Sequence, residues 1–521
     1  MITDSFDAAA TAFPDRVFVQ GDDLRMSYRE AAAASHAIAA RLGRFAQPGA
    51  HVALLSPNHP MMPPSMLGIM RSGAVYVPLN ARDAMDDIIW FARFCEISVL
   101  ICHSQYAHHV ERMRSEIPTV KLVIGLTEPP EANGESIAQW VRGVAGEHVE
   151  VRRRDDDIAL IKSSGGTTGR PKAIMQSHRT LETAYRILHQ FTQPRKEAVH
   201  LVVAPLTHAA GFTLLALLRV GARNIIASSA DPTDILAIVE RERVTHIFLA
   251  PTMIYRLLAH PDVKTRDCSS LEYVIYGAAP MSVDKLREGL ARWGQVFMQI
   301  YGQAEVPGVI TCLARKDHFV NADADAALDS HLASAGRPTG ACEVALMDDD
   351  GNILPAGVRG EIVARGDLVS PGYFNNPQAT AEARAFGWHH TGDIGVFDEN
   401  GYLYIVDRKK DMVISGGFNV YPSEIEQVIW AHPAVQDCAV VGVPDADWGE
   451  RVTAVIELKD GCSASSEEII EMCRKRLGSL KTPKQVEFWS TLPRSPVGKV
   501  LKKDVRSKLT SQGWGTDEQV S

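Results

Sequence analysis

The sequence lacks the cysteine spacing of a disulfide framework or of a zinc site. Its eight cysteines are scattered along the chain, and no two of them form a C-x-x-C pair. Such spacing favours reduced, mostly buried thiols in a cytosolic protein. The first residues, MITDSFDAAATAF, also lack the lysines and the apolar block of a signal peptide and carry Asp4 and Asp7 instead. We therefore expect a cytoplasmic location.

Long hydrophobic runs and an excess of basic residues are missing as well. The most apolar region, AAGFTLLALLRVGA, is too short to span a bilayer and is interrupted by Arg219. The formal net charge is −9, whereas a nucleic-acid binder needs a basic face that neutralises phosphates. The sequence therefore predicts no transmembrane segment and no nucleic-acid partner, although the charge sum leaves room for a local basic patch.

Helix and strand patterns alternate from the start of the chain to about Asp407. SYREAAAASHAIAARL has apolar residues at helical spacing, and HVALLS, VLICH, KLVIGL and HIFLAP have the composition of buried strands. This alternation predicts an α/β fold with layered α/β subdomains and parallel sheets. After Asn400 the strand pattern GYLYIV leads into the charged run DRKKD. About a hundred residues with their own strands and helices follow, so we place a domain boundary there.

The segment SSGGTTGRPK, residues 163–172, has the composition of a phosphate-binding loop. Glycines let backbone N–H groups turn towards one point, and hydroxyls and a mobile cation add donors. Those residues are Gly165, Gly166 and Gly169; Ser163, Ser164, Thr167 and Thr168; and Lys172. Taken alone, such a run is more typical of a flexible surface loop. It is not a Walker A loop, because Arg170 stands where that pattern requires its second glycine.

Further motifs follow this loop in a defined order. They are YGQAE (301–305), HTGDIG with Asp393, DRKKDMVISGGFNVYPSEIE (407–426) and PRSPVGK, which ends at Lys499. With GAVYVPLNARD, GAAP (277–280) and GEIVARGDLVSPGY, they resemble the core motifs of the adenylate-forming superfamily. This superfamily includes acyl-CoA synthetases, luciferases and the adenylation domains of peptide synthetases. The resemblance spans nearly the whole chain and implies ATP-dependent conversion of a carboxylic acid to acyl-AMP and pyrophosphate.

The resemblance also implies roles for individual residues at a nucleotide site. The loop would bind the β- and γ-phosphates of ATP, and Glu305 would hold the Mg²⁺ that bridges them. Tyr301 would offer a flat face to adenine, and Asp393 and Arg408 would bind the ribose from two sides. The implied cofactor-binding residues are Ser164, Gly165, Gly166, Thr167, Thr168, Gly169, Lys172, Gly277, Ala278, Ala279, Pro280, Tyr301, Gly302, Gln303, Ala304, Asp393 and Arg408.

The C-terminal part carries two further implied elements. Lys499 would be the adenylation lysine, whose long stem reaches the carboxylate and the α-phosphate. In the family this domain rotates about the residue two beyond the ribose arginine, here Lys410, and then presents Gly416 and Gly417 to coenzyme A. The same glycines are also typical of a tight turn. We therefore predict a large N-terminal domain over 1–407, a hinge over 408–410 and a small, mobile α+β domain over 411–521.

Three positions depart from the family pattern. Gly165 stands where serine is usual, Ala173 follows Lys172 where glycine is usual, and Ala304 replaces a common threonine. The loss of one uncharged hydrogen bond costs about 0.5–1.5 kcal/mol. The departures therefore predict a slower enzyme rather than an inactive one.

The segment PLTHAAGF, residues 205–212, resembles the acyl-pocket segment of the family. It offers Ala209 where amino-acid-activating domains place an aspartate, and it contains no Arg or Lys that would pair with a second carboxylate. The predicted substrate is therefore an apolar monocarboxylic acid, fatty or aromatic. His208 is implied to gate the acyl tunnel, and a core histidine is the alternative.

The acceptor is expected to come from outside the chain, because no carrier domain follows the adenylating body in this sequence. Free coenzyme A is the preferred acceptor, and a discrete acyl carrier protein is the first alternative. A nucleotide-sensing protein that retains the fold is the non-enzymatic alternative. A homodimer is compatible with the sequence.

Overall fold

The computed structural model describes residues 1–144, 146–149, 151, 153–164, 170–195, 197–318, 330–495 and 500–511. Gly165, Gly166, Thr167, Thr168, Gly169 and Lys499 lie outside the described residues, so the roles predicted for them stay predictions.

The described strands form four sheets. The first fifteen strands are β1 (Val17–Gln20), β2 (Arg25–Ser27), β3 (His51–Ser56), β4 (Val75–Asn80), β5 (Val99–Cys102), β6 (Leu122–Gly125), β7 (Ile158–Ser163), β8 (Ala173–Ser177), β9 (Val199–Val202), β10 (Arg223–Ile226), β11 (His246–Leu249), β12 (Tyr273–Gly277), β13 (Phe297–Tyr301), β14 (Thr311–Leu313) and β15 (Arg337–Pro338). They are followed by β16 (Glu343–Met347), β17 (Gly360–Arg365), β18 (Gly372–Tyr373), β19 (His389–Phe397), β20 (Leu403–Arg408), β21 (Val413–Ser415), β22 (Phe418–Val420), β23 (Val435–Asp445), β24 (Gly449–Leu458) and β25 (Gln485–Phe488).

The described α-helices cover the faces of these sheets. They are α1 (Ile2–Ala12), α2 (Tyr28–Leu42), α3 (Met62–Arg71), α4 (Met85–Phe94), α5 (Val110–Glu116), α6 (Ile137–Trp140), α7 (His178–Thr192), α8 (Ala209–Ala216), α9 (Pro232–Glu242), α10 (Pro251–Ala259), α11 (Val283–Trp293), α12 (Pro377–Glu382), α13 (Pro422–Trp430), α14 (Ser466–Leu477) and α15 (Lys502–Ser511). Among the described residues, no helix is long and apolar enough to cross a membrane.

Two large sheets with parallel centres form the N-terminal domain. One has the strand order β18-β8-β7-β4-β3-β5-β6, and its strands are parallel from β7 to β6 and antiparallel at the β8 and β18 edge. The other has the order β15-β14-β13-β12-β11-β9-β10-β1-β2 and is parallel from β13 to β1. This arrangement confirms the predicted α/β fold with parallel sheets.

Burial on both faces explains why the strand sequences are continuously apolar rather than alternating. In β3, Val52 and Leu54 belong to one core, whereas Ala53 and Leu55 belong to a second core on the opposite face. The first core also contains residues of α1, α2, α3 and α7 together with Val202 of the nine-stranded sheet. These helices therefore form a shared layer between the two sheets.

Helix α2 shows how local sequence sets the ends of an element in that layer. Its N-cap Ser27 accepts a hydrogen bond from the Glu30 N–H, and Glu30 accepts one in return from the Ser27 N–H. This capping box satisfies backbone donors that the first turn leaves free. The helix ends at Leu42, before Gly43, and it packs against α3 at Gly68, where a Cβ would lie 2.7 Å from Ile38 Cγ2.

An antiparallel four-stranded sheet, β16-β17-β19-β20, lies between the parallel sheets and the C-terminal domain in the chain. A 3₁₀ turn over Lys409–Asp411 then leads to β21. The smaller C-terminal domain has the strand order β22-β21-β24-β23 with β25 beside β24, and α13, α14 and α15 pack on it. The predicted division into a large and a small domain is thus confirmed, whereas the boundary at residues 408–410 stays a prediction.

Gly68→Ala should destabilise the protein by roughly 1–3 kcal/mol, the usual cost of an additional methyl group in a packed core. The added Cβ would meet Ile38 at 2.7 Å and the Ser35 carbonyl oxygen at 2.9 Å. Thermal unfolding followed by circular dichroism measures the effect. Gly43→Ala is the matched control, because its Cβ meets nothing closer than 3.5 Å. Equal melting temperatures for wild type and Gly68→Ala would contradict the close α2–α3 contact.

Candidate active site

The predicted cofactor-binding loop GAAP, residues 277–280, and the YGQAE segment follow two neighbouring parallel strands. Gly277 at the end of β12 pairs with Ile300 in β13, so Gly277 and Tyr301 lie at the same carboxyl edge of the sheet. Crevices at such edges are the usual ligand sites of open α/β sheets. A Cβ on Gly277 would lie 2.4 Å from the Ile300 carbonyl oxygen, so only glycine fits this close approach.

Ala278 adds a strained backbone to that edge. Its φ of +69° lies in the left-handed region, where a side chain costs roughly 1–2 kcal/mol. Ala278 and Pro280 are exposed, and Ala279 is partly buried. Strain of this kind concentrates at binding sites, where the surrounding structure imposes it. The sequence pattern GAAP gave no signal of it.

Asp393 is the best-held carboxylate of the site, with only 5% of its surface exposed. It accepts hydrogen bonds from the Tyr301 hydroxyl at 2.7 Å and from Gln303 Nε2 at 2.9 Å. Arg408 Nε lies 3.3 Å from its other oxygen, because β19 and β20 pair these two residues directly. Burial beside Asp393 holds the pKa of Tyr301 well above its usual value, so this phenol stays a neutral donor. Three separate motifs therefore meet at one carboxylate.

The two ends of the predicted phosphate loop are hydrogen-bonded to each other. The Ser164 N–H donates to the Lys172 carbonyl at 2.8 Å, and the Lys172 N–H donates to Ser164 Oγ at 2.9 Å. Lys172 Nζ lies 4.6 Å from the centre of the Tyr373 ring, a cation–π contact. The Tyr373 hydroxyl in turn donates to Glu305 Oε1 at 2.9 Å. Tyr373 thus links the loop to Glu305.

Sequence reasoning did not assign a role to Tyr373, although the quoted motif GEIVARGDLVSPGY ends at this residue. Its position is set by β18, which pairs Tyr373 with Ile174 in β8. Ile174, Tyr373 and Ala304 pack together in a small apolar cluster. Ala304, one of the three departures from the family pattern, is therefore an apolar contact in this chain.

The sequence analysis assigned no role to Gln176 or Lys162 either. Gln176 Nε2 donates to the Ala304 carbonyl oxygen at 2.6 Å, which ties β8 to the YGQAE segment. Lys162 is partly buried in β7, and Glu305 is the charged group that acts on it. Burial lowers the pKa of the Lys162 amine to about 8 against the opposing effect of Glu305. The available signal was a lysine in an otherwise apolar strand, directly before the loop.

The acyl-pocket segment lies against the same region. His208 is the N-cap of α8 and is partly buried, and its Nδ1 lies 2.9 Å from Thr207 Oγ1. The Phe212 ring packs on Tyr185, with ring centres 5.0 Å apart, and on Gly308, where a Cβ would lie 2.4 Å from the Phe212 ring. Phe212 therefore joins α8 to the loop that follows Tyr301 and Glu305.

The C-terminal residues of the prediction that the structure describes lie in two turns of the chain. Gly416 and Gly417, with φ of +58° and +80°, form the turn between β21 and β22 and are exposed. Two consecutive left-handed residues match the tight-turn alternative. Lys410 lies in the 3₁₀ turn, next to Lys409, whose Nζ pairs with Asp349 at 2.6 Å.

Comparison with known proteins covers most of the chain. Residues 6–374 match the family described as AMP-binding enzyme, and residues 424–499 match the AMP-binding enzyme C-terminal domain. A feruloyl-CoA synthase from Amycolatopsis sp is 37% identical over 471 residues, 89% of each chain. A medium/long-chain-fatty-acid–CoA ligase from Mycobacterium tuberculosis is 40% identical over 362 residues, 68% of this chain and 62% of that one.

Two solved structures show the same fold. The amide bond synthetase McbA from Marinactinospora thermotolerans is 29% identical with a TM-score of 0.87, over 98% of this chain and 100% of that one. ATP-bound MatB from Rhodopseudomonas palustris is 29% identical with a TM-score of 0.86, over 97% and 99% of the two chains. With the motifs meeting around Asp393 and Glu305, these matches establish that the chain belongs to the family of AMP-binding enzymes.

Proposed function

We propose that this protein is an AMP-forming acid–thiol ligase. It activates an apolar monocarboxylic acid, fatty or aromatic, with ATP to give acyl-AMP and pyrophosphate, and then transfers the acyl group to coenzyme A. The observation that carries the proposal is the link from Lys172 through the Tyr373 ring and hydroxyl to Glu305. The named activities of the feruloyl-CoA synthase and the fatty-acid–CoA ligase support it.

Asp393 and Arg408 form the proposed ribose site. The Asp393 carboxylate is held in place by Tyr301, Gln303 and Arg408, so it is oriented before any ligand arrives. Preorganised acceptors of this kind lose little entropy when a diol binds. In this proposal the adenine binds between Tyr301 and the loop Gly277–Pro280. Gly277 has no side chain, so the base can approach the backbone of that loop closely.

Glu305 fits the proposed Mg²⁺. The Tyr373 hydroxyl engages one of its carboxylate oxygens, and a hard oxygen is the ligand that Mg²⁺ prefers. Within the described part of the chain, no group of three or more His, Cys, Asp or Glu residues could hold a metal alone. Phosphate oxygens and water therefore complete the shell in this proposal. When bound, the ion neutralises phosphate charge.

Lys172 and Lys499 have different roles in this proposal. Lys172 binds the terminal phosphates, and Lys499 stabilises the charge that develops between the carboxylate and the α-phosphate. The chain is anchored on both sides of the segment that contains Lys499. Arg494 pairs with Asp437 at 2.7 Å, and Lys502 pairs with the buried Glu426 at 2.8 Å.

The acid binds, in this proposal, beside Phe212 and Tyr185. The two rings pack on each other, and the segment 205–212 contains no Arg or Lys. A second carboxylate or an amino group would lose its hydration there without gaining a partner, which is costly. His208 stands at the entry of α8 and gates the acyl path.

The second half-reaction in this proposal uses rotation about Lys410. Gly416 and Gly417 are exposed on the C-terminal domain here, and rotation brings them to the site, where the pantetheine arm passes beside their backbone. A cytoplasmic location belongs to the proposal because all eight cysteines are free thiols.

An amine is the second candidate acceptor. The structural likeness to the amide bond synthetase McbA, at a TM-score of 0.87 and 29% identity, favours this alternative over others. Both acceptors attack the same acyl-AMP, so adenylation is common to the two candidates and only the second step differs.

A panel of carboxylic acids with ATP, Mg²⁺ and either coenzyme A or an amine tests the function. We expect apolar fatty or aromatic monocarboxylates to release pyrophosphate and to form the CoA ester. Amino acids and dicarboxylates should be poor substrates, because their additional charge finds no partner. If none of the acids in the panel supports ATP–pyrophosphate exchange, the proposal is contradicted. Formation of an amide without formation of the CoA ester would favour the second candidate.

Lys499→Ala should reduce acyl-AMP formation by orders of magnitude while thioester formation from supplied acyl-AMP survives. The reason is that the lysine acts on charge that develops only during adenylation. Each half-reaction is measured separately, with Lys475→Ala, an exposed lysine of α14, as the control. Equal losses in both half-reactions would show that the role assigned to Lys499 is wrong.

Asp393→Asn should weaken ATP binding about 10- to 150-fold, since one charged hydrogen bond contributes roughly 1.5–3 kcal/mol. Isothermal titration with ATP measures the affinity. Asp367→Asn is the matched control, because Asp367 is an exposed carboxylate of the same domain. Unchanged ATP affinity in Asp393→Asn would remove Asp393 from the nucleotide site.

A further inference from the structure

Lys162 lies directly before the phosphate loop, and none of the motifs includes it. It lies in β7, two residues before Ser164, and pairs with Ile174 in β8. Ile174 pairs in turn with Tyr373 in β18. Residues that pair across neighbouring strands share a face of the sheet. Lys162 is therefore on the same face as Tyr373, which binds Glu305.

That face lies against the YGQAE segment. Gln176, also in β8, donates to the Ala304 carbonyl oxygen, and Ile174 and Tyr373 pack on Ala304. Glu305, the next residue, accepts a hydrogen bond from the Tyr373 hydroxyl. Its negative charge favours the protonated form of the Lys162 amine. The paired strands β7, β8 and β18 thus place Lys162 within electrostatic range of Glu305, without an ion pair between the two.

The charges at this point do not balance. Lys162 and Lys172 supply positive charges, and Glu305 supplies a negative one. Arg384, which lines the same cleft as Glu305 and Tyr373, adds a further positive charge, so positive charge is in excess. No described residue makes a hydrogen bond or an ion pair with the Lys162 amine. Keeping a partly buried ammonium without such a partner is unfavourable. The arrangement is therefore complementary to a ligand with several negative charges.

We propose that Lys162 is a second phosphate-binding cation, which contacts the terminal phosphates of ATP and the pyrophosphate product together with Lys172. The inference rests on the proposed function, because it takes ATP as the ligand. It differs from a purely structural role, in which Lys162 only offsets the charge of Glu305. A direct contact contributes to the binding of pyrophosphate itself, whereas an offset acts only through Glu305.

Titration calorimetry with ATP and with pyrophosphate, in EDTA, tests the proposal. Without divalent metal, the proposed metal role of Glu305 does not contribute to the measured affinity. Lys162→Met should bind both ligands about 10- to 150-fold more weakly, as expected for a charged hydrogen bond. Lys162→Arg should keep most of the affinity because it keeps the charge. Lys121→Met, which removes an exposed lysine at the start of β6, should bind like wild type.

The same titrations in a Glu305→Gln background separate the two roles. A direct contact predicts that Lys162→Met weakens pyrophosphate binding by a similar factor with and without the Glu305 charge. Loss of the effect in the Glu305→Gln background would overturn the proposal and assign Lys162 a charge-offsetting role. If Lys162→Met does not fold, Lys162→Arg and Lys162→Gln provide the comparison, and equal affinities in those two variants would also overturn it.

Failure of the proposed function gives a different result. A wild-type chain that binds neither ATP nor pyrophosphate, with or without Mg²⁺, would overturn both the function and the assignment of Lys162. Wild-type affinity for both ligands in a folded Lys162→Met variant would overturn the assignment alone, while ATP–pyrophosphate exchange by the wild type would still support the function.

Discussion

The Tyr373 hydroxyl donates a hydrogen bond to Glu305 at 2.9 Å, and the arrangement of the candidate site depends on this contact. Tyr373 belongs to a short edge strand, β18, which the antiparallel pairing with β8 holds beside the phosphate loop. Its ring faces the Lys172 amine, and its hydroxyl reaches the segment that follows β13 of the other sheet. Together with the Gln176 hydrogen bond to Ala304 and the backbone hydrogen bond from the Ser370 N–H to the Glu305 carbonyl oxygen at 2.8 Å, this side chain holds the segment after β13 against the β8 and β18 edge of the other sheet.

Buried carboxylates carry much of the remaining organisation, and each is held by several donors. Asp393 accepts hydrogen bonds from the Tyr301 hydroxyl and from Gln303 Nε2, and it forms an ion pair with Arg408. Glu361 accepts from the Gly392 N–H at 3.0 Å and lies 3.4 Å from Lys409 Nζ, so it joins the turn before Asp393 to the segment beside the proposed hinge. A carboxylate that loses hydration needs such partners, because an unpaired buried charge is costly.

Polar contacts connect the two domains. Arg359 pairs with Glu424 at 2.6 Å, and Gln427 Nε2 donates to the Met281 carbonyl oxygen at 3.3 Å. The apolar cores of the two domains consist of separate sets of residues. Contacts of this type can be exchanged for water at low cost, whereas a shared apolar core could not. The interface is thus compatible with the domain rotation proposed for the second half-reaction.

The sequence by itself determined the α/β layering, the two domains and the motifs that mark the site. Strands such as β3 were predictable because a strand buried on both faces is a continuous apolar run. Asp393 and Arg408 could be proposed as neighbours in one site because each belongs to a contiguous motif. Tyr373, Lys162, Phe212 and the strained Ala278 were decided only by the tertiary structure. Lys162 and Glu305 are far apart in the chain, and only strand register and sheet packing bring them together. Local patterns report which element a residue joins, but charge balance at a site depends on contacts between elements that the chain order does not reveal.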